Sequence, residues 1–326
     1  MTKPFLSFED QINKLQNEKG LIINNHLYAE KMLREIGYFG LIGGYKTPFK
    51  NPTTKKYKDG VAFEDIVALY KFDENLRELF LKYLLQIERN IRSLLSYYFT
   101  EKYGELQVCY LDCKNYIDDE KYKFDIAKLI EKLNNLATKT SNYAYINHQR
   151  MTYGNVPLWV LVNGLSFGTV SKFYVLVTQD IRAKVSKNFD FVNEKQLSQF
   201  LKVATKFRNV CAHNERLFSY QTKNDIPNTA VHKSFSIPKK GTQYVYGKHD
   251  LFSLVITFCY LLPEQDFRKF TFSLSNVFNH YFESTTFLSK KDIYELMGFP
   301  ENWNKIVSYK NKYYIIKNIK GFISDY

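Results

Sequence analysis

The sequence is poor in cysteine, in uninterrupted apolar runs and in stretches that alternate apolar and polar residues. Its four cysteines, Cys109, Cys113, Cys211 and Cys259, include no CxxC pair, and no histidine or second cysteine pair lies near Cys109 and Cys113 to complete a zinc site. They read as reduced thiols, and no metal or other cofactor is expected. His148, His232, His249 and His280 have no partners at ligand spacing and read as structural. Residues 1–15 mix charged with apolar residues and lack the apolar core of a signal peptide. The apolar run 251–262 is too short for a bilayer, and 158–177 is interrupted by Asn163, Ser166, Ser171 and Lys172. A soluble cytoplasmic protein with no membrane partner is expected. A phosphate-binding glycine loop is also missing, because Tyr45 separates Gly44 from Lys46-Thr47 and the required spacing is absent.

What is abundant is positive charge and aromatic surface. The 46 Lys+Arg exceed the 33 Asp+Glu, and a net charge of +13 points to a polyanionic partner, nucleic acid first and an anionic membrane surface second. The chain has 26 Tyr and 27 Phe, and exposed rings beside basic side chains can stack unpaired RNA bases. Most of them are still expected inside, in a core that 45% hydrophobic residues can readily form.

Helical periodicity dominates. Ser7, with Asp10 three residues on, predicts a helix start, and Gly20 its stop. A second helix is predicted over 26–36, ended by Gly37. Residues 37–60, rich in glycine and lysine, read as an irregular basic segment with a short hairpin. From Phe63 to Lys102, apolar residues recur at three- and four-residue steps, which predicts one long helix or two with a break near Asp73. Further helices are predicted over 121–137, 158–178, 194–218, 251–261, 266–282 and 290–296. Residues 231–237 and 243–246 alternate with period two and are expected to pair as a small β-hairpin around residues 238–241.

The stretch KFRNVCAHNERLFSY, residues 206–220, stands out. On an ideal helix, Leu197, Phe200, Leu201, Ala204, Phe207, Cys211 and Phe218 gather on one side, with Arg208 at the edge of that stripe. A guanidinium there must be paired or kept for a ligand. His213 lies about 140° round the helix and about 7.5 Å along it, so the two side chains do not readily share one phosphate unless the helix ends there or a second copy completes the site. On spacing alone, an arginine and a histidine placed in this way are structural more often than functional.

Arg208-Asn209-Val-Cys-Ala-His213 resembles the Arg, polar residue, spacers, His signature of the HEPN ribonuclease superfamily. More narrowly, the chain resembles the Abi-like (abortive infection) proteins of the AbiD and AbiF type. The likeness runs nearly end to end through KPFLSFEDQINKL, IGYFGLIGGYKTPF, IERNIRSLLSYYF, VPLWVLVNGLSFGTVSKFY, FRNVCAHNERL and MGFPENW. It departs at Phe218-Ser219-Tyr220, where an Asn-Arg pair is expected in many relatives.

The resemblance implies a mainly α fold, with an N-terminal helical and basic extension (1–60), a HEPN-type helical bundle (61–285) and a C-terminal helical extension (286–326), together one compact unit. It implies a metal-independent endoribonuclease of bacterial phage defence, a toxin that cleaves RNA by 2′-OH transesterification. Arg208, Asn209 and His213 would be catalytic, and Lys206, Arg216, Lys46, Lys55 and Lys56 would contact RNA. Glu88, with Arg89, would orient Arg208 if their helices pack side by side. A homodimer would complete the site, and a small non-coding RNA antitoxin would restrain it. Two other readings stay open: an RNA-binding protein that uses the same basic face without cutting, and a scaffold whose charge meets an acidic protein.

Overall fold

Capping chemistry sets where the chain begins to wind. A computed structural model describes residues 4–139, 141–285 and 287–310. In it the Ser7 hydroxyl accepts the Asp10 amide (3.1 Å) while the Asp10 carboxylate accepts the Ser7 amide (3.2 Å), starting α1 (Phe8–Asn13). Asn25 caps α2 (His26–Ile36), which Gly37 ends at φ 85°. The basic segment that follows closes on itself through a bridge between Lys50 and Tyr57.

The long apolar series becomes one helix, α3 (Phe63–Tyr103), 41 residues and about 60 Å long. It does not break at Asp73. That carboxylate is fully buried and pairs with Arg77 one turn on, so it holds the helix together rather than interrupting it. The chain continues through α4 (Gln107–Leu111), α5 (Lys123–Thr138), α6 (Ala144–Tyr153), α7 (Leu158–Leu161), α8 (Phe167–Leu176), α9 (Gln179–Ser186) and α10 (Glu194–Ala212). Then come α11 (Ala230–Ser234), β1 (Lys239–Lys240), β2 (Gln243–Tyr244), α12 (Leu251–Leu261), α13 (Glu264–Ser284) and α14 (Lys290–Met297). The protein is mainly α, with α3 as the axis against which α7, α8, α9, α10 and α13 pack. Of the C-terminal extension, residues 286 and 311–326 lie outside the described residues.

Three expected elements differ. The helix predicted over 158–178 is split, because Leu165 is extended and the Ser166 hydroxyl caps a new helix by accepting the Thr169 amide. Residues 231–234 lie in α11 and 235–236 in the turn that follows, rather than in a strand, since Thr229 and His232 cap a helical turn there; the hairpin pairs β1 with β2 instead. The helix predicted to run to Phe218 stops at Ala212, with consequences for the site.

A buried corner at Gly247 makes stability sensitive to pH. The Thr229 amide donates to His232 Nδ1 (3.1 Å), so Nε2 carries the proton and donates to the Gly247 carbonyl (2.8 Å), while Asp250 accepts the Gly247 amide (2.7 Å). Burial, and then the charge of Lys248, push the His232 imidazole down to about 4. Burial pushes the Asp250 carboxyl up to about 6 against the amides that favour its charged form. His232 therefore favours the fold above 6.5, and that contribution is lost as pH falls through about 4. Asp250 favours it below 3.8, and its contribution is lost as pH rises through about 6. The two oppose each other in the wild type. Asp250→Asn is expected to leave the histidine unopposed, so that the urea midpoint falls more steeply than in the wild type as pH is lowered through this range.

Candidate functional site

Packing α10 against α3 brings the charged residues of two distant segments together. The Glu88 carboxylate, 1% exposed, accepts the Arg208 Nε proton at 3.2 Å with one oxygen, and its other oxygen accepts from Arg92. Arg92 also donates to the Leu165 carbonyl, which the break between α7 and α8 has freed. One buried acid thus holds two arginines whose side chains stay 26% (Arg208) and 20% (Arg92) exposed, leaving a net positive charge at the surface. Arg89, one residue on from Glu88, is exposed and lines a groove of about 360 Å³ with Asn90, Ser93 and Pro263. Arg92 was missed as a site residue by sequence reasoning, although its four-residue spacing from Glu88 is the signal of a helix ion pair.

His213 is where the helix stops. Its amide still donates to the Asn209 carbonyl (2.9 Å), but Asn214 turns left-handed (φ 55°) and the Glu215 amide reaches back to the Val210 carbonyl (3.0 Å). This is a Schellman closure with asparagine in the position that usually holds glycine. It leaves the His213 side chain exposed at the helix end, with Asn209 and Lys206 also exposed on the same helix. Asn214→Gly is expected to be tolerated, whereas Asn214→Val forces a β-branched residue into the left-handed region and should cost about 1–2 kcal/mol, read as a lower urea midpoint.

Behind the turn the chain is anchored in the core. Asp73 accepts the amides of Leu217 (2.9 Å) and Phe218 (2.6 Å), the Tyr45 hydroxyl (2.7 Å) and Arg77 Nη1 (2.7 Å). Burial pushes its carboxyl pKa up, and these donors pull it back. Phe218 stacks on Tyr45 at 5.9 Å between centroids, and Tyr220 meets Phe207 edge-on at 5.3 Å, so both rings after the motif are engaged in packing. Exposed Arg216 donates to the Gly44 carbonyl (2.7 Å), which sets the basic segment beside the motif.

In that segment Lys46 is half-buried, and Lys55 and Lys56 are exposed, with Lys55 Nζ donating to the Pro52 carbonyl (2.5 Å). Burial and then the charges of Lys46, Lys19 and Lys55 hold the Lys50 ammonium below the ordinary lysine range. Lys19 therefore joins Lys46, Lys50, Lys55 and Lys56, which the sequence already groups within residues 46–58; α1 and its following turn, remote in sequence, bring Lys19 in. None of these lysines forms an ion pair among the described residues. Among the described residues no group of three His, Cys, Asp or Glu side chains is arranged to hold a metal ion, and no helix is long and apolar enough to cross a membrane.

A mainly helical chain with a charged site where a long helix meets an Arg-Asn-x3-His helix end defines the class. The chain belongs to the Abi-like protein family, named for abortive infection, a form of phage defence: the family model matches residues 31–219. That span contains Glu88, Arg92, Arg208 and His213. No curated protein and no solved structure matches the chain.

Proposed function

We propose that this protein is a metal-independent endoribonuclease of the HEPN type acting in phage defence. The observation that carries the reading is the buried Glu88 carboxylate holding Arg208 on the helix whose end displays an exposed His213. In the proposed reaction a ribose 2′-oxygen attacks the adjacent phosphorus and the bond from phosphorus to the 5′-oxygen breaks, leaving a 2′,3′-cyclic phosphate and a 5′-hydroxyl. An imidazole titrates near neutrality and can take the 2′-OH proton or give one to the leaving oxygen. Arg208, already fixed by Glu88, offers its remaining N–H groups to the phosphate as charge builds. Asn209 orients the phosphate or the histidine through its amide.

Arg208 faces α3 while His213 lies about 140° round the helix, so a second copy is proposed to bring its histidine to this copy's arginine. Lys206, Arg216 and the cluster of Lys19, Lys46, Lys50, Lys55 and Lys56 would track the RNA backbone, and a structured small RNA covering that face would restrain the enzyme. The test is incubation of protein freed of nucleic acid with mixed cellular RNA in EDTA, followed by mapping of the new termini. Cyclic-phosphate ends produced by wild type and not by His213→Ala support the proposal. The offset of about 140° between Arg208 and His213 on an ideal helix favours a second reading, an RNA-binding module. It takes over if a dimeric wild type binds RNA as well as His213→Ala and neither cuts it.

A further inference from the structure

Beside the arginine pair stand two aromatic rings that the core does not use. Tyr143 and Tyr145 lie at the start of α6 with ring centroids 5.5 Å apart and planes at 40°. They are 42% and 41% exposed.

The segment that carries them is firmly held. Asn147 accepts the Ser141 amide (3.0 Å) and donates to the Ser141 carbonyl (2.6 Å), and the Ser141 hydroxyl accepts the Tyr143 amide (3.1 Å). Arg150 in turn donates to the Asn147 carboxamide oxygen (3.0 Å). The Tyr143 ring rests on Gly164, where an added Cβ would come within 3.2 Å of its Cε2 atom. The next residue, Leu165, gives its carbonyl to Arg92. The same turn therefore seats the ring pair and one arginine of the pair on Glu88. The charge of Arg92 also reaches the ring: burial and then Tyr143 push the pKa of the Tyr145 hydroxyl up, and Arg92 pulls it back.

Exposed rings fixed next to unspent guanidinium charge match the two chemical faces of a nucleotide, a flat base and an anionic phosphate. In a duplex the base faces are already stacked and unavailable. Resting on the ribonuclease reading above, we propose that Tyr143 and Tyr145 stack an unpaired base of the RNA whose phosphate the Arg92 and Arg208 pair holds, which makes unpaired RNA the substrate class.

The test uses full-length protein carrying His213→Ala, so that binding is measured without cleavage. Fluorescence anisotropy compares a labelled single-stranded oligoribonucleotide with a blunt RNA duplex. Tyr145→Ala is expected to weaken single-strand binding by about 5-fold to 150-fold and to leave duplex binding unchanged. Tyr145→Trp, which keeps a π-face, should retain it, and thermal unfolding checks that both variants are folded. Single-strand binding unchanged in Tyr145→Ala, or weakened equally for the duplex, overturns the platform while the RNA reading stands. If the parent protein binds neither RNA, both fall. Loss of a dimer in sedimentation with RNA binding intact would make the ring pair an interface between copies and also overturns the proposal.

Discussion

On the proposed ribonuclease reading, His213→Ala is expected to lower RNA cleavage by about 10²-fold to 10⁴-fold, the range that a positioned general acid or base contributes. The substitution isolates chemistry from folding better than most. His213 meets the helix through its backbone, since its amide donates to the Asn209 carbonyl and the closure is made by Asn214 and Glu215, while its ring is exposed. Alanine preserves all of those backbone bonds. Initial rates on a labelled RNA, paired with a thermal unfolding curve that superimposes on the wild type, would establish the effect. Cleavage that persists in the variant at the wild-type rate would remove His213 from the mechanism.

The largest effect on stability is expected at Asp73. Its replacement by alanine leaves Arg77, 4% exposed, as an unpaired cation in the core and strips the Leu217 and Phe218 amides and the Tyr45 hydroxyl of their acceptor. Breaking a buried ion pair from one side costs about 3–5 kcal/mol. Tyr45→Phe removes one hydroxyl, which donates to Asp73 and accepts from Arg77 Nη1 (3.0 Å), and should cost about 1–3 kcal/mol. Urea unfolding of the two variants against wild type reads both numbers, and equal midpoints for Asp73→Ala and wild type would show that the network contributes nothing net. Because the two amides belong to the residues that follow the motif, Asp73→Ala should also loosen the turn behind His213 before the whole chain unfolds.

The helical class and most element ends were legible because local chemistry dictates them. Ser7 and Asp10, Gly37, and the Asp250 and Pro263 that bracket α12 each act within one turn of the residue that reveals them. The misreadings arose where a distant partner overrides the local pattern. Asp73 looks like an interruption until Arg77, Tyr45 and the amides of Leu217 and Phe218 surround it. Val231, Phe235 and Ile237 alternate like a strand, but the Thr229 cap and the His232 bond to Gly247 impose a helical turn. Leu217 and Phe218 continue the apolar stripe of α10 by spacing, yet they reach the core by a return of the chain after Asn214 has ended the helix. α6 was invisible because its only buried residue is Ile146, so it has no stripe to read. Of the site, Arg208, Asn209 and His213 could be picked out as a motif, and Glu88 was a candidate to meet Arg208. Arg92 carried a local signal in its spacing from Glu88, whereas Lys19 emerges only when remote segments are brought side by side.

The four bonds on Asp73 also impose an order of events on a chain made from its N-terminus. Tyr45, Asp73 and Arg77 are synthesised early, but the amide of Leu217 lies 144 positions beyond Asp73. Glu88 likewise waits 120 positions for Arg208. Contacts of such separation form late, because the intervening loop must close first. A nascent or prematurely terminated chain that ends before residue 217 therefore keeps the Asp73–Arg77 pair within its long helix but lacks the two amides that Asp73 accepts and has no anchored turn for His213. Completion of the site is thus tied to completion of the fold.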